Sequence, residues 1–322
     1  MIPLSSNIIC LVGPTASGKS DLAQKIALEL DAEIVSADSM QIYRGMDIGT
    51  GKVTRDQQLV RHHCLDIVEP GTPYSAALYQ EDARAALQDI NARGKRILLV
   101  GGTGLYVRAA IDDYAFPKGD NADNPVRDHY MFYAQEHGAQ ALWDLLDQRD
   151  PESAREIHPN NVRRVVRAFE LLAEGESYAR QKERLQDIPQ LYPAVFIGLK
   201  VAPDVLRERI NQRVDGMVEA GLVREVEALL SQGFRDGLTA SQAIGYKEIV
   251  SALDGACSLS DAIDDIKIAS RRYGKRQRTW FGRDTRVNWV NAEEGIERMI
   301  EECLEIVDRA DRHYAQVNFG EV

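Results

Sequence analysis

Residues 8–20 read IICLVGPTASGKS, and this stretch decides the fold. The β-branched, apolar run at 8–12 predicts a short buried strand, and apolar residues at helical spacing over 20–30 predict a helix. Between them, Gly13 to Ser20 fits the pattern G-x-x-x-x-G-K-[ST], which cradles phosphates when it joins a strand to a helix. The pattern leaves open whether the ligand is a nucleoside triphosphate or another compound with two linked phosphates.

Four properties of this loop favour a bound phosphate. Glycine permits backbone conformations that point successive N–H groups inward, and the following helix presents its positive end. Lys19 supplies a point charge, and Ser20 has the hydroxyl that ligates Mg²⁺ in such loops. The predicted phosphate-binding residues are Gly13, Thr15, Ala16, Ser17, Gly18, Lys19 and Ser20.

The rest of the pattern indicates an α/β fold. Further strands are predicted at 33–38, 96–102, 194–200 and 286–290, with a helix at 74–93 and an irregular, turn-rich stretch up to about Pro73. Strands that alternate with helices indicate a parallel sheet flanked by helices, as in P-loop NTPase-like proteins, with ligands at the carboxyl ends of the strands. Residues 116–128 are polar and turn-forming, and 127–175 read as helices. We therefore predict a core of 1–115 and 191–322 with an all-helical insertion domain at 116–190.

Composition excludes several classes of protein. The 322 residues are 44% hydrophobic and 28% charged, as in ordinary globular proteins. The longest apolar runs fall far short of the roughly 20 residues that span a bilayer, and the N-terminus leaves no room for a secretory leader before the glycine loop. The four cysteines are scattered singly, without zinc-site spacing. We expect a cytoplasmic protein with reduced thiols and no membrane partner.

The charge distribution is uneven. The formal net charge of -11 argues against nucleic-acid binding, because affinity for phosphate backbones comes from Lys and Arg. Yet residues 267–286 carry eight basic side chains against one acid, while the chain after Val290 is rich in Glu and Asp. The pattern permits a basic face on an acidic protein, although a solvated helix face explains a single basic run equally well.

Asp38 is the acid best placed to act at the loop. A typical nucleoside-triphosphate hydrolase has a metal-binding Asp or Glu after an apolar strand, but the strand at 96–102 ends in glycines and Thr103. Asp38 follows a neighbouring strand and is expected to face the ligand crevice, where it serves as a metal ligand, as a base, or only as a turn former. Adjacent His62 and His63 point in different directions, so we interpret them as structural.

The sequence resembles the tRNA dimethylallyltransferases from about residue 8 to 282. The resemblance rests on motifs that occur in the same order in that family, namely GPTASGKS, SADSMQIYRGMDIGTGK, HHCLDI with YSAALY, GGTGLY, DPESAREIHPNNVRRVVRAFE, RVDGMVEAGLVREV, QAIGYKE and SRRYGKRQRTWF. Enzymes of this family transfer the dimethylallyl group of dimethylallyl diphosphate to the exocyclic amine of the adenine 3′ of the tRNA anticodon. The resemblance implies that the loop holds a diphosphate leaving group. Two positions depart from the family pattern, with Gly51 and Gly274 where alanine is usual.

The resemblance also implies catalytic roles. Asp38 matches the general base, Arg213 matches a residue that stabilises the leaving group with Lys19, and Thr103 matches a contact to the target nucleotide. Expulsion of a diphosphate by an amine needs donors aimed at the departing oxygens and a base for the amine proton, so the roles suit the chemistry. Mg²⁺ is the expected cofactor, with Ser20 as its protein ligand.

The tRNA contacts implied by the resemblance lie in both predicted domains, because the anticodon stem-loop must present an extruded base. They are Asp38, Ser39, Met40, Gln41, Thr103, Arg127, Arg163, Arg164, Arg167, Gln242 and Lys247.

Two alternatives remain at this stage. A small-molecule kinase would use the same loop with Asp38 as base, but it leaves the basic segments at 163–167 and 267–286 without a purpose. A non-catalytic RNA-binding protein explains the arginines but not an intact Lys19 and Ser20 beside Asp38. We expect a monomer, because nothing in the sequence resembles a dimer seam.

Overall fold

The computed structural model describes residues 6–116, 124–185 and 188–319. The polar stretch 117–123, predicted to be turn-forming, lies outside the described residues, as does the start of the N-terminus. By compactness the chain divides into a core unit, Met1–Asp112 with Gln190–Val322, and a second unit, Asp113–Pro189. The predicted limits of the insertion were 116 and 190.

The core unit contains a six-stranded, wholly parallel sheet. Its strands lie in the spatial order β3-β2-β4-β1-β5-β6. They are β1 (Ile8–Val12), β2 (Ala32–Ser36), β3 (His62–His63), β4 (Arg96–Gly101), β5 (Ala194–Lys200) and β6 (Val287–Asn291). Five of these match predicted strands. The prediction was wrong for β3, which lies in the stretch predicted to be irregular, because two residues carry no readable periodicity.

Helices of the core unit follow most strands. They are α1 (Lys19–Glu29), α2 (Ala76–Ala92), α3 (Gly104–Ile111), α8 (Pro203–Glu219), α9 (Leu222–Leu230), α10 (Tyr246–Leu253), α11 (Leu259–Phe281) and α12 (Ile296–Phe319). Every residue of β1 is fully buried, as expected for a strand covered on both faces. Ile9 and Leu11 belong to one apolar cluster with α1 and α12. The α/β prediction is therefore confirmed.

The described residues of the second unit form helices joined by turns and irregular segments, with no strand among them, as predicted. It contains α4 (Pro125–Arg149), kinked at Gly138, followed by α5 (Pro151–Arg155), α6 (Val162–Ala173) and α7 (Tyr178–Arg184). Its own apolar cluster includes Leu142, Leu146, Val165 and Phe169. A separate core of this kind allows the unit to fold around its own side chains.

The strand order decides where a ligand meets the core unit. In the sheet, β4 lies between β1 and β2, although β2 follows β1 in the sequence. The carboxyl ends of these three parallel strands therefore lie side by side, in the order β2, β4, β1. The glycine loop follows β1, Asp38 follows β2 and Thr103 follows β4. Parallel sheets bind ligands at such a crossover point.

Gly274 provides a stability test within α11. A Cβ at this position would lie 3.4 Å from Ile210 Cδ1 and 3.7 Å from Leu206 Cδ2, which is ordinary van der Waals contact. Gly274→Ala is therefore expected to stabilise the protein by about 1 kcal/mol and to raise its melting temperature by about 2 °C, because glycine in a helix interior costs backbone entropy. Gly216→Ala in α8, where a Cβ would meet nothing within 4 Å, is the control for helix propensity alone. A lowered melting temperature for Gly274→Ala would mean that the α8–α11 packing has no room for a methyl group.

Candidate functional site

The glycine loop wraps around the Lys19 side chain. Gly18 takes a left-handed conformation (φ 89°) immediately before α1, a geometry that a side chain would disfavour. Lys19 Nζ donates to the carbonyl oxygen of Pro14 at 2.5 Å and to Ser17 Oγ at 3.4 Å. Burial of the ammonium and the nearby charge of Arg213 lower the Lys19 pKa to about 7, against a smaller opposing effect of Asp38.

A small cavity of about 90 Å³ lies against this loop. Lys19, Ser20 and Arg213 line it, together with Asp38 and Gln41. Two basic side chains and a hydroxyl at the start of a helix are the groups that bind a phosphorylated ligand. The structure therefore brings the predicted Ser20, Lys19 and Arg213 together, although Arg213 is far away in sequence.

A larger cavity of about 440 Å³ shares several lining residues with the smaller one. Thr15, Asp38, Thr50, Arg213 and Tyr273 line both. Part of the larger wall is apolar and comes from α8 and α11, with Ile210, Val214, Met217, Ile266 and Ala269. Two different ligands could therefore approach the same carboxylate, one from each cavity.

Asp38 stabilises a turn and also lines both cavities. Its Oδ1 accepts hydrogen bonds from the backbone N–H of Met40 at 2.9 Å and of Gln41 at 3.4 Å. Those bonds orient the carboxylate, which lines both cavities. Asp38 can therefore stabilise its turn and still present its carboxylate to a ligand in either cavity.

Thr103 connects the end of β4 to the Asp38 segment. Its N–H donates to the carbonyl oxygen of Ala37 at 3.2 Å, and its Oγ1 accepts from the N–H of Ser39 at 3.2 Å. Its hydroxyl also contacts Tyr273. Although Thr103 precedes α3, its side chain makes no cap bond to that helix.

Arg213 is held by the backbone. Its Nη2 donates to the carbonyl oxygen of Thr50 at 3.0 Å. Burial lowers its pKa, and the charge of Asp38 partly offsets this effect. An arginine fixed by a carbonyl and aimed into both cavities is preorganised to bind an anion.

Two site residues on α11 were missed by the sequence interpretation. Gln277 is 5% exposed, and it accepts from the Thr15 N–H at 2.8 Å and donates to the carbonyl oxygen of Gly102 at 3.0 Å. Tyr273 has a pKa raised to about 12 by burial and by the charge of Asp38. Their spacing of four residues within the basic run places both on the inward face of α11, and that spacing was the available signal.

The basic run divides between the two faces of α11 and the turn that precedes β6. Arg272 and Arg276 line the larger cavity. Lys267 pairs with Asp215 at 2.6 Å, and Arg286 pairs with the buried Asp112 at 2.7 Å. Part of the run is therefore structural and part faces the site.

Most tRNA contacts predicted in the core unit also line a cavity. Ser39, Met40, Gln242 and Lys247 line the larger one, and Gln41 lines the smaller one. The histidines make polar contacts within the fold. His62 Nδ1 lies 2.8 Å from the carbonyl oxygen of Val60, and His63 Nε2 lies 2.7 Å from Glu33 Oε2.

Sequence comparison now identifies the family. The profile described as IPP transferase matches residues 41–284, and the one described as isopentenyl transferase matches residues 6–66. The chain belongs to the IPP transferase family. These matches confirm the family resemblance seen in the sequence motifs.

Three relatives illustrate the similarity. A tRNA dimethylallyltransferase from Geobacillus thermodenitrificans is 48% identical over 290 residues, covering 89% of this chain and 91% of the relative. The crystal structure of a tRNA isopentenylpyrophosphate transferase from Bacillus halodurans has a TM-score of 0.72 and 40% identity, covering 97% of this chain and 99% of its own. A eukaryotic dimethylallyltransferase acting on tRNA has a TM-score of 0.74 and 25% identity, covering 97% of this chain and 78% of its own.

In this IPP transferase family member, the arginines of the helical unit are not equivalent. Glu170 is 3% exposed, and its two oxygens accept from Arg127 Nε and Arg167 Nη1, each at 2.6 Å. Arg163 and Arg164 are exposed on the first turn of α6. Two of the four predicted tRNA-binding arginines thus neutralise a buried carboxylate.

Within the described residues of this family member, no helix is long and apolar enough to cross a membrane.

Proposed function

We propose that the protein transfers the dimethylallyl group of dimethylallyl diphosphate to the exocyclic amine of the adenine 3′ of the anticodon in tRNA. The observation that carries this proposal is the pair of cavities that share Asp38 and Arg213. One cavity has the cations that a diphosphate requires, and the other offers room for a base and for hydrocarbon. The names of the relatives support the same reaction.

The reaction exchanges one bond for another at the first carbon of the allyl group. The amine nitrogen forms a bond to this carbon while the carbon–oxygen bond breaks, and the electron pair leaves with the diphosphate. Asp38 lines both cavities and takes the proton that the amine loses. Thr103 supports this arrangement through Ser39, whose N–H it binds.

Lys19, the loop amides and Arg213 stabilise the departing diphosphate. The Arg213 guanidinium presents a planar set of donors that suits phosphate oxygens. Both cations are partly desolvated, so their attraction for the leaving group is stronger than it would be in water. The charge of Arg213 is therefore in place before the substrate binds, and Lys19 adds its own charge when it is protonated.

The proposed cofactor is Mg²⁺. Ser20 is the second residue of α1 and lines the smaller cavity beside Lys19, so a hydroxyl oxygen of the kind that Mg²⁺ prefers is present at the phosphate site. The described residues contain no group of three or more His, Cys, Asp or Glu that could hold a metal. Ser20 and the diphosphate oxygens would therefore hold the ion, which supplies further charge neutralisation when bound.

The tRNA contacts are proposed for residues of both units. In the core unit, Gln242, Lys247, Arg272 and Arg276 surround the larger cavity with donors for RNA. In the helical unit, Arg163 and Arg164 are exposed on the first turn of α6, where arginine side chains can contact phosphates. The target adenine leaves its stack to reach the cavity, as bases do in other enzymes that act on them.

A labelling experiment tests the proposed reaction. The protein is incubated with Mg²⁺, an unmodified anticodon stem-loop RNA and either labelled dimethylallyl diphosphate or γ-labelled ATP. Label from the diphosphate should appear in the RNA, and a stem-loop with inosine at the target position, which lacks the amine, should remain unlabelled. Transfer of the γ-phosphate to a small acceptor would favour a kinase, and the absence of both reactions would favour an RNA-binding protein.

Arg164 and Arg167 form a matched pair for testing tRNA binding. Arg164→Ala is expected to weaken tRNA binding and to reduce the slope of log K against log salt by about one, because one phosphate contact is lost. Arg167→Ala should in addition destabilise the helical unit by about 1–3 kcal/mol, because the buried Glu170 loses one of its partners. Binding is measured between about 50 and 200 mM salt, the range over which phosphate contacts are commonly resolved, alongside thermal unfolding. An unchanged salt slope for Arg164→Ala would exclude a phosphate contact at that position.

A further inference from the structure

Three successive backbone amides converge on one carboxylate in the core unit. Glu225 Oε2 accepts from the N–H of Asp47 at 3.1 Å and of Ile48 at 2.7 Å, and Oε1 accepts from the N–H of Gly49 at 3.1 Å. Such a concave run of N–H groups is a strong site for an anion. Here the anion is a side chain of the protein, contributed by α9.

A fourth donor fixes the other side of the same carboxylate. The Tyr246 hydroxyl donates to Glu225 Oε1 at 2.6 Å, and the Tyr246 side chain is fully buried. The Tyr246 ring packs tightly against Gly49, because a Cβ added at Gly49 would lie only 2.5 Å from Tyr246 Cε2. Burial and the charge of Glu225 raise the pKa of Tyr246, so the phenol remains a donor. Glu225 therefore has bonds on both oxygens and little freedom to move.

The segment that Glu225 holds leads directly to Arg213. Thr50 follows the three amides, its Oγ1 donates to the carbonyl oxygen of Met46 at 2.7 Å, and its own carbonyl oxygen accepts from Arg213 Nη2 at 3.0 Å. A Cβ at Gly51 would overlap the same guanidinium. The path of residues 47–51 therefore decides where the Arg213 head group lies.

We infer that Glu225 is a positioning residue, which fixes segment 47–50 and, through the Thr50 carbonyl, sets the position of the Arg213 guanidinium for the leaving diphosphate. The inference rests on the proposed function for the role of Arg213. A displacement of about 1 Å at a charge that stabilises a transition state costs as much as about a hundredfold in rate. The four hydrogen bonds that Glu225 accepts hold segment 47–50 in place and so oppose such a displacement of Arg213.

Glu225→Gln tests this role with little change in shape. A carboxamide has one acceptor oxygen and one NH₂ group, so it cannot accept from both the 47–48 amides and the Gly49–Tyr246 pair. The segment should shift, and Arg213 with it. We expect the affinity for inorganic pyrophosphate with Mg²⁺ to fall about tenfold, as for the loss of one well-placed charged contact. Glu227→Gln, which makes the same charge change at an exposed position of α9, should have no effect.

The decisive experiment is a double-mutant cycle with Arg213→Ala. Pyrophosphate affinity is measured by calorimetry for the wild-type protein, both single variants and the double variant, together with thermal unfolding. If Glu225 acts through Arg213, then Glu225→Gln has no further effect once the guanidinium is gone. Equal losses in both backgrounds, no loss for Glu225→Gln or no loss for Arg213→Ala would each overturn the inference.

The test remains usable if Glu225→Gln fails to fold or if the labelling experiment gives no prenyl transfer. If Glu225→Gln does not fold, Tyr246→Phe replaces it in the same cycle, because it removes one donor and leaves the ring in place. Pyrophosphate binding does not require prenyl transfer, so a coupled cycle supports the inference even if the labelling experiment fails. In an active enzyme, Glu225→Gln should raise the KM for dimethylallyl diphosphate and leave the KM for tRNA nearly unchanged, a split that a smaller folded fraction would not produce, because it lowers only the apparent kcat.

Discussion

Replacing Asp38 with asparagine is expected to lower kcat for prenyl transfer about a hundredfold or more, with little change in tRNA affinity. The carboxamide in Asp38→Asn keeps an oxygen that accepts from Met40 N–H and Gln41 N–H, so the turn should survive. What the variant lacks is a carboxylate for the amine proton. The loss should therefore appear in the chemical step and not in binding.

Single-turnover kinetics with tRNA bound in advance separate these two steps. Asp308→Asn is the matched control, because this exposed aspartate on α12 pairs only at the surface with Arg312 among its described contacts. The control should leave both constants unchanged. A full rate of prenyl transfer in Asp38→Asn would remove Asp38 from the role of base.

Lys19→Met is expected to lower kcat/KM for dimethylallyl diphosphate by about a hundredfold, which corresponds to about 3 kcal/mol of transition-state stabilisation. The side chain is similar in length, but the charge beside the leaving group is gone. Lys25→Met is the control on the same helix, where the lysine is 44% exposed and pairs loosely with Glu297. A loss of similar size in Lys25→Met would mean that α1 had been disturbed in general.

The pH dependence of the Lys19 contribution has a defined sign. Because its pKa is lowered to about 7, Lys19 in the free protein is charged below this pH and neutral above it. A diphosphate binds the charged form, so binding above this pKa requires proton uptake and its affinity falls by up to about tenfold per pH unit. The ratio of wild-type to Lys19→Met affinity cancels the ionisation of the ligand itself. This ratio should decrease from about pH 7 to about pH 9, and a constant ratio would mean that Lys19 stays charged.

The sequence was most informative where local rules decide the structure. The loop at 13–20, the strands on either side of it and the position of Asp38 after β2 follow from patterns read over a few residues, and the structure brings Lys19, Asp38 and Arg213 to one pair of cavities. Arg213 is an exception, because only the family resemblance pointed to it. Its contact with Thr50 joins residues 163 positions apart, which no local pattern encodes.

The parts that escaped prediction depend on long-range contacts of polar side chains. Gln277 and Glu225 look like ordinary helix-surface residues in the sequence, and only the fold turns them toward backbone amides of distant loops. For arginine the sequence has the opposite weakness, because a residue that fits a binding pattern can also have a structural contact. Arg127 and Arg167 fit a tRNA-binding pattern, yet each also binds the buried Glu170, whose burial a sequence does not reveal.

The bond between Gln277 and Thr15 has a consequence for how the protein is made. The glycine loop lies at the start of the chain, but the side chain that bonds its Thr15 amide is residue 277 of 322. During synthesis the loop emerges first and must wait for α11 before it gains this bond, so contacts of such high sequence separation form late in folding. A nascent chain interrupted before α11 would therefore have the glycine loop without the side chain that holds its Thr15 amide beside the proposed phosphate site.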